Sequence, residues 1–88
     1  MPVPEHFSTR LSLQQQVVYV LSLQEEGTPE EIAMELIELR GIASEERVAD
    51  LTVAIENELQ KMEKVGLVRA EKETGQPSRY RLQNINNL

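Results

Sequence analysis

The apolar positions of the chain fall into three stripes at helical spacing, followed by two short runs that alternate. Leu13, Val17, Val20 and Leu21 predict a first helix, from a Ser12 cap to about Glu26 with Gly27 as its stop. On propensity alone Val17-Val18-Tyr19-Val20-Leu21 also reads as a strand, but the helix formers on either side, Leu13 to Gln16 and Leu23 to Glu26, favour helix. Thr28, Pro29 and Glu31 spell a capping box with proline at the first helical position, and Ile32, Ala33, Leu36 and Ile37 form the second buried stripe. Arg40-Gly41 ends it. Ser44 with Glu45 and Glu46 signals a third start, after which Val48, Leu51, Ile55, Leu59 and Met62 follow in an amphipathic helix ending at Gly66.

Past Gly66 the period changes to two. Val68 and Ala70 alternate with charges, as do Tyr80 and Leu82, and Thr74-Gly75-Gln76-Pro77 lies between them as a turn. Pairing the two runs places those four apolar side chains on one face and Arg69, Glu71, Arg79 and Arg81 on the other. The expected fold is α+β and mostly α: three helices, then a C-terminal two-stranded hairpin. A plain helical bundle is the alternative if Arg69 to Leu82 does not pair. Residues 1–10, with two prolines and no apolar period, read as a flexible arm, residues 11–82 as the domain and residues 83–88 as a polar tail.

Charge changes this picture more than composition does. The 88 residues carry a net charge of −6, which opposes nonspecific nucleic-acid binding, yet the charge is unevenly spread. Residues 60–82 hold six cations against three acids, whereas residues 1–59 hold three against twelve. An acidic chain has kept one basic corner, and that corner asks for a function.

The residues around it resemble a known family. The run Leu59-x-x-Met62-Glu63-Lys64-x-Gly66-Leu67-Val68, a charged Gly-containing hairpin and Tyr80-x-Leu82 resemble the end of a winged-helix domain of the MarR and PadR type. Gly75 to Leu82 is similar to a PadR-like wing, and Thr28-Pro29-Glu30-Glu31-Ile32-Ala33 is similar to the start of that family's second helix. The resemblance covers about residues 11–82. It implies a small module binding double-stranded DNA, a transcriptional regulator or an accessory factor in DNA metabolism, whose third helix lies against the major groove. The same pattern is shared by winged helices that bind only protein, the rival reading, which the acidity of residues 1–59 favours. One departure is spacing: the distance from Ala33 to Gly66 exceeds that of a compact MarR-like domain, the excess falling around Leu39 to Asp50.

Two groups of residues carry the DNA reading. In the wing, Arg69, Lys72, Arg79 and Arg81 offer cations whose geometry suits phosphate oxygens. On the third helix Thr52, Val53, Glu56, Asn57, Gln60 and Lys61 lie near the presented surface; Asn57 and Gln60 suit an adenine edge, and Lys61 or Lys64 a phosphate. The plainer alternatives are a solvated hairpin face with Glu71 pairing an arginine, and a solvated helix face with i,i+4 ion pairs. A homodimer would strengthen binding, with Val18 and Leu23 of the first helix as the seam.

Other chemistries find no residues. The chain has no cysteine and one histidine, His6, so no metal or cofactor is expected. Its serines lack a His-Asp arrangement and no Gly-rich phosphate loop is present, so it does not read as an enzyme. No stretch approaches the ~18 apolar residues of a membrane span, and a cytoplasmic location is expected. Tyr80 is expected to anchor the wing in the core, since stacking platforms array several rings and the chain has three.

Overall fold

The computed structural model describes residues 3–41 and 47–83. The element order is α1 (Leu13–Gln24), β1 (Glu26–Gly27), α2 (Pro29–Arg40), α3 (Val48–Lys64), β2 (Val68–Glu71) and β3 (Arg79–Leu82). The fold is α+β and mostly helical, with a three-stranded antiparallel sheet in the order β1-β3-β2. No helix among the described residues is long and apolar enough to cross a membrane.

Local chemistry sets the helix ends. Ser12 and Gln15 form a reciprocal capping box at α1, as Thr28 and Glu31 do at α2, each satisfying two backbone N–H groups that helix geometry leaves open. α1 stops earlier than Gly27. Glu25 takes φ 68° and its N–H donates to the Leu21 carbonyl, while Gly27 enters β1 opposite Tyr80. α2 ends as expected, with Gly41 at φ 89°. α3 begins at Val48 with Arg47 at the N-cap and no side-chain cap bond. The Ser44-Glu45-Glu46 start signal lies outside the described residues, as do residues 84–88 of the expected tail.

Three helices and one sheet face enclose the core, comprising Val17, Val18, Val20 and Leu21 of α1, Ile32, Ala33 and Leu36 of α2, Leu51, Ile55, Leu59 and Met62 of α3, and Val68 and Tyr80 of the sheet. Two expectations are corrected. Val18 is fully buried and unavailable for a dimer seam, although Leu23 stays exposed. Val48, expected in the buried stripe, stands at the first turn of α3 and is 37% exposed. From residues 3–10, Val3 and Phe7 pack against this core, Phe7 meeting the Tyr19 ring with centroids 5.9 Å apart.

One buried polar group ties the helices together. Gln16 is almost fully buried; its Nε2 donates to the Leu11 carbonyl at 3.0 Å and its Oε1 accepts from Arg40 Nη2 at 2.8 Å. Both ends of the amide are thus satisfied, which removes the cost of burying it.

Candidate nucleic-acid interface

The turn out of α3 aims the hairpin. Gly66, at φ 81°, lets the chain reverse while its N–H donates to the Glu63 carbonyl and the Leu67 N–H donates to the Met62 carbonyl, which satisfies two of the carbonyls in the last helical turn. β2 leaves this turn directly. At the far end Gln76 N–H donates to the Glu73 carbonyl, and Gly75 at φ 79° supplies the positive angle the reversal needs.

The register is Val68↔Leu82, Arg69↔Arg81, Ala70↔Tyr80 and Glu71↔Arg79. Strand alternation therefore puts Val68, Ala70, Tyr80 and Leu82 inward and Arg69, Glu71, Arg79 and Arg81 outward, as the period-2 pattern predicts. β1 adds Glu26 to the outer face opposite Arg81. Tyr80 is buried as the anchor of the hairpin; burial, followed by the charges of Glu63 and Glu56, pushes its hydroxyl pKa upward.

The four cations of the hairpin segment, Arg69, Lys72, Arg79 and Arg81, differ in how far they are engaged. Arg79 Nε donates to Glu26 Oε1 at 2.8 Å, and its Nη2 lies 3.2 Å from Glu31 Oε1. The Glu26 hydrogen bond first, and then the Glu31 charge, hold this guanidinium more firmly protonated. Arg81 Nη1 lies 3.9 Å from Glu71 Oε1, the pairing expected of a solvated face. Among the described residues Arg69 and Lys72 form no ion pair. Arg69 stands directly opposite a second cation, Arg81.

On α3 the buried stripe Leu51, Ile55, Leu59 and Met62 fixes the opposite face. At about 100° per residue, that face carries Val53, Asn57, Gln60 and Lys64, all exposed, with Lys61 and Asp50 beside them. Glu56 and Glu63 flank the stripe on its other side. Lys61 Nζ sits 3.7 Å from Glu58. Thr52 lies off this face, half-buried, with its hydroxyl donating to the Val48 carbonyl at 2.6 Å. The hydroxyl proton is engaged by the helix backbone, and Thr52 is not among the residues that α3 brings together on this face.

The residues that sequence reading missed are Glu26 and Glu31 as partners of Arg79. Glu31 was legible only as a cap: its Oε1 accepts from the Thr28 N–H at 3.0 Å and faces Arg79 as well. No protein-family model matches the chain, and comparison with curated proteins and with solved structures found no match.

Proposed function

We propose that the chain is a winged-helix module that binds double-stranded DNA through the outer face of α3 and the free side of the hairpin. The hairpin that follows the third helix, and its basic outer face, support the winged-helix reading. The observation that carries the DNA reading is the composition of the α3 stripe. Asn57, Gln60 and Lys64 stand in line toward the C-terminal end of α3, with Asp50 two turns back as the carboxylate beside them, in a chain where acids otherwise dominate the surface. The two amides suit base edges; Lys61, Lys64, Arg69 and Lys72 suit phosphates, with Arg81 at the margin. Five cations bound the salt dependence: log affinity falls with log salt at a slope no steeper than about −4.5. Binding by one copy is weak and salt-sensitive, and dimerisation would strengthen it.

The test is an NMR titration of labelled protein with a mixed-sequence duplex at low and moderate salt. Shifts should gather on residues 53–64 and 69–72, fade with salt, and vanish in a Lys64→Glu, Lys72→Glu double variant. Absence of shifts at low salt defeats the reading.

A specific feature favours a second reading, a protein partner. Gln24, Glu26, Glu31, Met34, Glu35, Glu38 and Arg79 line a groove along α2 in which Met34 is 57% exposed. Arg79 already engages Glu26 and Glu31, which leaves Glu35 and Glu38 beside the exposed methionine, a combination that fits a basic segment of another protein. Shifts on α2 with such a peptide, and none with DNA, would select this reading.

A further inference from the structure

We propose that Glu26 and Glu31 form a latch on Arg79 that competes with phosphate, so that this arginine is withheld until an anion displaces the two carboxylates. The inference rests on the DNA-binding reading above and adds a built-in brake to it.

The sheet register places Arg79 on the same outer face as Arg69 and Arg81, the face on which a phosphate would be met. Arg79 alone among these three is gripped from two other elements, by Glu26 of β1 and Glu31 of α2. Each carboxylate offers one oxygen to one guanidinium nitrogen, at 2.8 and 3.2 Å, whereas a phosphate can offer two oxygens to the guanidinium fork. All three side chains are accessible, at 43%, 38% and 50% for Arg79, Glu26 and Glu31. Ion pairs at this exposure are screened by salt and exchange readily with a competing anion, unlike buried ones. The latch therefore holds Arg79 in free protein without preventing its capture.

The carboxylates can be neutralised without dismantling the fold. Glu31 also caps α2, but Gln15 occupies the equivalent position in the α1 capping box, so glutamine serves that role in this same protein. Glu26 sits at the solvent side of the two-residue β1.

The experiment measures duplex affinity against salt for the wild type, for Glu26→Gln with Glu31→Gln, and for that pair combined with Arg79→Gln. A Glu35→Gln, Glu38→Gln pair, both on α2, makes the same change in the net charge of the protein without touching Arg79. The latch predicts that freeing Arg79 tightens binding several-fold and steepens the salt slope by about 0.9, one additional phosphate. Adding Arg79→Gln should cancel the change in slope, and the control pair should leave the slope as it was. If the wild type binds DNA but the Glu26→Gln, Glu31→Gln protein neither binds more tightly nor gains slope, the latch is overturned and the DNA reading stands. An equal gain in the control pair also overturns the latch. If neither protein binds at low salt, both fall together. Binding by the unlatched protein alone supports both.

Discussion

The two edges of the sheet treat arginine in opposite ways. At the β1 edge Arg79 is matched by Glu26 and Glu31, whereas at the β2 edge Arg69 has no acidic partner among the described residues and stands opposite Arg81. Both edges share the same inner support, since Val68 and Tyr80 are buried and Ala70 and Leu82 pack against the core. The difference is confined to the outer face, where like charges across an antiparallel pair are unfavourable and opposite charges favourable. The β1 edge is arranged as a protein stabilises itself. The β2 edge leaves a positive charge uncompensated, as a surface does when an external anion completes it.

The largest effect should come from removing what both edges share. Tyr80→Ala deletes the anchor of the central strand, and truncating a buried aromatic costs about 3–5 kcal/mol, a large part of the stability of a domain this small. Urea denaturation should show a midpoint far below that of the wild type, with the Arg79 contacts and the hairpin lost together. If only the hairpin signals move, the two edges are less coupled than their shared strand implies. Tyr80→Phe keeps the packing and reports on pH instead. The folded-state pKa lies above the unfolded value of about 10, so the stability linked to it is present below that value and is lost as pH rises through the folded pKa. The wild type should lose stability in strong alkali more steeply than Tyr80→Phe.

A smaller change acts on the β1 edge alone. A Cβ built on Gly27 would lie 3.3 Å from Ile32 Cγ1, closer than ordinary van der Waals contact, and Ile32 is fully buried. Gly27→Ala therefore forces β1 away from α2, at a cost of about 1 kcal/mol. Amide exchange should quicken at residues 26–28 and 80–81 while residues 68–70 keep their protection. Equal loosening of β2 would contradict the separation of the edges.

What the sequence revealed of these edges follows from how each interaction is encoded. The β2–β3 pair was legible because both strands alternate and a single turn joins them, so pairing and face could be read together. The α2 start was legible because its capping box spans four residues, Thr28 to Glu31. β1 escaped because two residues, Glu26 and Gly27, carry no period, and Gly27 read equally well as a helix stop. Without β1 the carboxylates around Arg79 were invisible: Glu26 lies 53 residues away along the chain and meets Arg79 only once the sheet has formed. Gln16 escaped for a related reason. A glutamine in a helix reads as solvent-facing until Leu11 and Arg40 close around it. On α3 the face opposite the core could be counted from the sequence, but the bond from the Thr52 hydroxyl back to the Val48 carbonyl could not.

Arg69→Glu separates stability from binding most finely. In the free protein it replaces the Arg69↔Arg81 opposition with an acid facing a base across β2 and β3, and such cross-strand pairs contribute about 0.2–1 kcal/mol. The exposure of both positions and the nearby Glu71, which already reaches Arg81 diagonally at 3.9 Å, place the gain toward the low end of that range. The denaturation midpoint should therefore rise slightly, and the rise should shrink in high salt. If the chain binds DNA as proposed, the same substitution removes a phosphate contact and adds a repulsion, so duplex affinity should fall at least severalfold and the salt slope should flatten by about 0.9. Arg69→Ala removes the like-charge opposition without creating the new pair and should fall between the two in stability. Opposite movements of stability and affinity in Arg69→Glu would mean that the β2 edge holds its positive charge at a cost to the fold, in the service of an anion the chain does not itself supply. If stability rises while DNA binding is unchanged, Arg69 belongs to a surface without that use, and the contrast between the edges reduces to chance placement of charge.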